Sequence, residues 1–256
     1  MKGTVLYEVN DGVAVLTVDN PPVNPLSDGV RNGLYESLQK AEDDNTVKGV
    51  VLTGKGRAFI AGADISEFGG NVEGKSLNEV FQKLEFCKKP VVAAINGIAL
   101  GGGLETALCC NYRIIDKSAI VGLPEVNLGL LPGGGGTQRL PRLAGPSEAL
   151  KMMLTGSHVP AQKALNLGIV NSISDDVVAE SIEFIKEVAE KTDDHPKVRD
   201  FNEKMMEARG DDKVLLEAQA MASKGRKGQF APGQIIKCVE AAINIDDFDE
   251  GLKKEG

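Results

Sequence analysis

Apolar and polar residues alternate along VLYEV and VAVLTVD near the N-terminus, the two-residue period of strands with one buried face. The Asn10-Asp11-Gly12 turn between them predicts a hairpin. The period then changes. LSDGVRNGLYESLQKAEDD opens on a serine or aspartate cap and places apolar residues at helical spacing, after which VKGVVLTG reads as a buried strand. The same alternation returns as a helix near 76 to 87, the strand VVAAI at 91 to 95, and a helix opening at the glycines of 101 to 103. YRIID and AIVG supply further short strands. Repeated strand and helix units joined by glycine-rich links predict an α/β architecture with its active groups on the links.

From about Pro160 onward helices are expected to dominate, apart from GIVNSI at 168 to 173. The stretches VRDFNEKMMEA, DDKVLLEAQAMAS and PGQIIKCVEAAINI are amphipathic, the pattern of helices that pack through one stripe. A boundary is placed at DDHPK, dividing residues 1–195, a core carrying the site, from a helical region over 196–256.

A length of 256 residues suits one sizeable core with an appendage. The net charge of −8 disfavours nucleic acid or an anionic membrane as the main partner, and no apolar stretch approaches the roughly 20 residues that span a bilayer. The four cysteines form no C-x-x-C pair and have no histidine cluster beside them, so neither a zinc site nor a disulfide framework is expected. Cys109 and Cys110 read as small core residues. The N-terminus resembles a strand rather than a signal peptide; a reduced, soluble, cytoplasmic protein is the expectation.

Two carboxylates stand out against this background. Glu105, in GGGLETALCC, is the single charge between Pro90 and Tyr112, and Glu125, in GLPEVNLGLLPGGGGTQ, is the single charge between Lys117 and Arg139. A carboxylate in apolar surroundings needs a network or an upward pKa shift, and a pair with separated pKa values can remove a proton from water and deliver another. The glycines at 101 to 103 would leave amides exposed at the positive end of a helix, and the turn in RAFIAGADI would add another amide. Together they would form an oxyanion hole. The other motifs fall away: there is no phosphate-binding G-x-x-x-x-G-K-[ST], no G-x-S-x-G elbow, and the GGGG run at 133 to 136 fits a dinucleotide fingerprint only through low complexity. His158 and His195 read as solvated or structural.

With these residues in view, the chain resembles the enoyl-CoA hydratase/isomerase, or crotonase, family. The stretches that carry the resemblance are NPPVNPLS, FIAGADISEF, NGIALGGGLETAL and GLPEVNLGLLPGGGGTQRLPRLAG, then ALKMMLTG and A-x-x-ALNLGIV. The resemblance implies a spiral of ββα units with a C-terminal helical region, acyl-CoA thioester substrates, and a homotrimer or hexamer. It implies oxyanion amides at Ala61 and Gly102, catalytic carboxylates at Glu105 and Glu125, and CoA adenine contacts from Ala61, Gly62, Ala63, Asp64 and Ile65. No metal or redox cofactor is implied, coenzyme A entering as part of the substrate. Hydration of a 2-trans-enoyl-CoA in fatty-acid β-oxidation is the expected reaction, with Glu105 activating water and Glu125 protonating C2. The alternatives are Δ3,Δ2-enoyl-CoA isomerisation and a non-catalytic binding role on the same fold.

GGGLE, YRI and GLPEV are closest to the hydratase portion of multifunctional β-oxidation enzymes, and APGQIIKCVEAAINIDDFDEGLKKE looks like the connector into a dehydrogenase half. A free-standing relative or the first part of a longer polypeptide is therefore expected, with a 3-hydroxyacyl-CoA dehydrogenase as a covalent or non-covalent partner. The segment 69 to 86 is expected to line or cover the acyl tunnel by its position.

Overall fold

Three successive segments of the chain repeat one course: a strand that enters a large sheet, a shorter strand that enters a second sheet, then a helix. In the computed structural model, which describes residues 3–64, 67, 74–192 and 194–256, the first such unit is β3 (Gly49–Gly54), β4 (Ala58–Ile60) and α2 (Leu77–Glu85). The second is β5 (Val91–Ile95), β6 (Ile98–Leu100) and α3 (Gly102–Cys109). β7 (Tyr112–Asp116) and β8 (Ile120–Gly122) begin the third, which passes through a 3-10 turn at Glu125–Leu128 to α4 (Gly136–Ala144). β3, β5 and β7 pair in parallel in the large sheet, and β4, β6 and β8 in parallel in the small one. This is the expected spiral of ββα units, and it stacks the links after β4, β6 and β8, where the candidate residues lie.

The large sheet begins with the hairpin β1 (Thr4–Asn10) and β2 (Val13–Asp19), whose tight turn uses positive φ at Asp11 and Gly12, as that hairpin geometry requires. β10 (Ser172–Ser174) closes the other edge against β7, a shorter strand than the GIVNSI run suggests. Strand alternation divides the core in two. Val13, Val15, Val51, Val92, Ala94 and Ile114 pack with α7 (Val177–Lys191), while Ala14, Leu16, Leu52, Ala93 and Ile95 face the main cluster toward α1 (Asp28–Asp43), α2 and α3.

Helices take over earlier than Pro160. α4 and α5 (Pro146–Thr155) already precede β9 (Val159–Pro160) and α6 (Ala161–Asn166). α4 starts in the glycine run and carries Pro141 within it, two residue types that work against a helix, so its formation depends on what grips it from outside. α8 (Glu203–Ala208), α9 (Lys213–Gly225), α10 (Ala231–Asn244) and α11 (Phe248–Leu252) complete the chain. Val198, Met205, Ala218, Ile235, Val239 and Ile243 belong to the same buried cluster as Leu140, Leu150 and Met153; the apolar core is therefore continuous across residues 195 and 196. Among the described residues no helix is long and apolar enough to cross a membrane.

Candidate active site

The link after β4 is held from the side by the NPPVNPLS segment. Leu26 forms a parallel bridge with Ala63, and the Leu26 N–H donates to the Gly62 carbonyl at 2.9 Å. Asn24, buried and with φ of 56°, donates through Nδ2 to the carbonyls of Ala58 at 2.8 Å and Lys55 at 3.0 Å. A loop of prolines and a buried amide thus fixes the course of residues 58 to 63.

The opening of α3 lies directly against this link. A Cβ on Gly103 would stand 1.8 Å from the Ile60 carbonyl oxygen, so only a residue without a side chain permits that approach. A Cβ on Gly102 would stand 3.4 Å from the Ala63 nitrogen. Gly102 is the first residue of α3, and its amide has no partner within the helix.

These contacts correct one expected donor. The Ala61 N–H is spent on the Val23 carbonyl at 3.1 Å and is not available to an oxyanion. Ala63 is. In a parallel bridge bonded through Leu26 N–H to Gly62 O, the amide of Ala63 points away from the Leu26 segment, and it is this nitrogen that lies beside Gly102. Ala61, Gly62, Ala63 and Asp64 all lie on the described link, while Ile65 lies outside the described residues. So do residues 69–73 of the segment expected at the acyl tunnel; α2 carries its remainder.

Glu105 is buried one turn into α3. Its Oε1 accepts the Gly134 N–H at 2.8 Å and the Gly136 N–H at 2.9 Å. The glycine run at 133 to 136, read from sequence as low complexity, is the cradle of this carboxylate. Burial raises the pKa of Glu105, opposed by these two amides and by the charge of Arg139. Glu125, at the start of the 3-10 turn, brings Oε1 to 3.1 Å from where a Cβ on Gly101 would be. Gly101 itself has φ of 54° and abuts Gly62. Glu125 is half-buried, yet its Oε2 is sealed from solvent and has no hydrogen-bond partner among the described residues. Burial, then the charge of Glu105, then that of Glu255, push its pKa up to about 8. Burial thus pushes both carboxyls up; at Glu105 two glycine amides and Arg139 work against it, while at Glu125 the neighbouring carboxylates add to it.

A comparison with known proteins fits this geometry. The model of the family described as enoyl-CoA hydratase/isomerase matches residues 8–230. The chain belongs to the enoyl-CoA hydratase/isomerase family. It is 41% identical over 252 residues to a peroxisomal bifunctional enzyme of Danio rerio, covering 98% of this chain and 34% of that protein. This member of the family thus spans about a third of that relative's length. A probable enoyl-CoA hydratase of Bacillus subtilis is 45% identical over 190 residues, covering 72% of this chain and 73% of its own. The crystal structure of an enoyl-CoA hydratase from Bacillus anthracis superposes with a TM-score of 0.68 at 30% identity, covering 99% of this chain and 95% of that one.

Three groups around the site escaped the sequence reading. Glu255 reaches the same glycine run from the segment after α11, which the sequence suggests only as a connector. Glu85 and Arg139 form a buried bidentate pair, Nε and Nη2 each donating at 2.9 Å, and Arg139 Nη1 donates to the Gly134 carbonyl at 3.1 Å. Asn24 had no charge to make it visible. Among the described residues no cluster of histidine, cysteine, aspartate or glutamate has the composition of a metal site. His158 is exposed, and His195 is buried with Nδ1 3.2 Å from the Tyr112 hydroxyl.

Proposed function

We propose that this chain adds water across the double bond of 2-trans-enoyl-CoA thioesters to give 3-hydroxyacyl-CoA, as a step of fatty-acid β-oxidation. The observation that carries the reading is the pair Glu105 and Glu125, the first with amide donors and Arg139 working for its anion and the second loaded with a proton, beside the amides of Ala63 and Gly102. Attack of water at C3 places negative charge on the thioester oxygen, where the two amides donate. Glu105, with Oε1 fixed by the glycine cradle, takes the proton of the attacking water, and Glu125, protonated below about pH 8, supplies the proton to C2. The link from Ala61 to Asp64 would meet the adenine end of CoA through backbone groups; the Ile65 expected with them lies outside the described residues.

The Danio rerio relative is named bifunctional and is about three times as long, which supports a second activity as partner; a 3-hydroxyacyl-CoA dehydrogenase, joined covalently or not, is the class of enzyme that would consume the 3-hydroxyacyl-CoA product. The test is direct. Crotonyl-CoA loses its conjugated absorbance on addition of the protein, and Glu105→Gln and Glu125→Gln each slow that loss by roughly 10²- to 10⁴-fold with circular dichroism unchanged. Wild-type rates in both variants would remove the assignment. A protein that leaves crotonyl-CoA untouched but shifts the double bond of a 3-enoyl-CoA is an isomerase instead.

A further inference from the structure

The glycine run that holds Glu105 is gripped by a second carboxylate. Four successive amides, two in the loop before α4 and two in its first turn, alternate in their acceptors. Gly134 and Gly136 donate to Glu105 Oε1 at 2.8 and 2.9 Å. Gly135 donates to Glu255 Oε1 at 2.5 Å and Thr137 to Glu255 Oε2 at 3.1 Å, with the Thr137 hydroxyl donating to Oε2 as well. Glu255 is 8% exposed. A third carboxylate buried close to two others raises the electrostatic cost of the cluster, so its presence calls for a return beyond capping a short helix.

The geometry supplies one. Glycines 134 to 136 have no side chains to define their peptide planes, and a peptide turned by one bond would aim a carbonyl, not an N–H, at Glu105. The planes of 135 and 137 are fixed by Glu255, and those of 134 and 136 lie between and beside them. Gln138 Nε2 ties the same turn to the Thr137 hydroxyl and to the Cys238 carbonyl of α10, at 3.0 and 2.9 Å. Gly251 packs closely enough on Gln138 that a Cβ there would stand 2.6 Å from its Oε1. The segment that delivers Glu255 is thus itself seated on the structure it orders.

We infer that Glu255 is a positioning residue for the hydration reaction: by accepting the amides of Gly135 and Thr137 it fixes the loop whose alternate amides orient the Glu105 carboxylate toward water. This role rests on the proposed hydratase reaction. The charge of Glu255 acts on the pair as well. The titratable groups facing it are Glu105 on α3, Glu125 on the 3-10 turn and Cys238 on α10, with Arg139 bonded to the Gly134 carbonyl. Burial and the charge of Glu105 push the Glu255 carboxyl itself up to about 8, so its charge grows in over the range where Glu125 gives up its proton; there it helps hold that proton, and a neutral residue at 255 makes the proton easier to lose.

The experiment is steady-state hydration of crotonyl-CoA by the full chain and by Glu255→Gln across pH. Expected is a fall in kcat of about ten- to a hundredfold, the scale of a displaced reacting group, with KM within about twofold and the alkaline limb of kcat moved to lower pH. A merely structural glutamate would lower the amount of folded protein and leave the pH limb where it was. Unchanged kcat and an unmoved limb overturn the proposal while wild-type turnover leaves the hydratase reading standing; no turnover by the unsubstituted chain removes both. If Glu255→Gln does not fold, Glu255→Asp is read in its place. Keeping the charge one methylene short, it should lower kcat with KM retained, and a wild-type kcat in it overturns the proposal.

Discussion

Glu125 keeps its proton because burial and the charges of Glu105 and Glu255 outweigh the one backbone hydrogen bond that favours its anion, and Oε2 has no partner among the described residues. That arrangement has a stability consequence whose sign is set by linkage. A carboxyl with an ordinary pKa of 4.5 raised to about 8 in the folded protein binds more protons folded than unfolded, so its contribution is complete below pH 4.5 and is lost as pH rises through 8. Glutamine does not titrate. Glu125→Gln should therefore gain in Tm relative to the wild type as pH is raised from about 5 to about 8, with thermal unfolding monitored by circular dichroism. A constant difference across that range would show that the group is not proton-loaded in the folded state. Activity has the same root: kcat should fall above about pH 8 as Glu125 loses the proton that C2 requires.

At the scale of elements, the site is an edge-on meeting of β4 and α3 with almost no side-chain volume between them. Gly103→Ala tests it. A methyl group 1.8 Å from the Ile60 carbonyl must push α3 away from β4, a strain of about 1–3 kcal/mol by the usual cost of overpacking. Chemical denaturation should register that loss, and crotonyl-CoA hydration should fall further than stability does, because the displacement separates the Ala63 and Gly102 amides. The strand and helix pattern of this region is legible in the sequence, since VKGVVLTG, VVAAI and YRIID are short apolar runs bounded by glycine or polar residues. Which amide of Ala61-Gly62-Ala63 faces the site is not, because the bridge to Leu26 decides it and that pairing spans residues far apart in the chain. The carboxylates were visible for the opposite reason: Glu105 and Glu125 each stand alone in an uncharged stretch. Glu85 and Glu255 sit among lysines and acids, where a buried charge looks like any exposed one.

Across the whole molecule, buried charge adds to the shared apolar core in tying the C-terminal helices to the spiral. Glu85 at the end of α2 binds Arg139 of α4 and, at 3.4 Å, Arg199, which reaches Asp249 of α11 at 2.8 Å. Phe248 lies under Arg139, Arg142 and Arg199 with guanidinium carbons 4.6 to 5.0 Å from its ring centre. Removing one partner of a buried pair leaves the other charge uncompensated, which costs about 3–5 kcal/mol. Glu85→Ala should show that loss in urea unfolding, and should loosen α11 and the Glu255 segment along with α2; a cost near zero would mean that water or a neighbour takes over the arginine. The expected boundary between residues 195 and 196 marks a change in composition, and the buried cluster passes through it without a break.

The seating of the C-terminal segment on α10 also governs a thiol. Burial pushes Cys238 up to about 11, and its Sγ lies 3.2 Å from the Lys254 carbonyl, so at neutral pH it is neither ionised nor reachable while residues 247–256 stay in place. Cys87 and Cys110 are pushed to about 12 by burial as well. A thiol-alkylating reagent applied in brief pulses should accordingly modify Cys238 at the frequency with which the terminal segment lifts from α10, with Cys110 reacting only when the spiral opens. Peptide mapping of the labelled protein would then give two separate clocks, one for the latch and one for the body it closes.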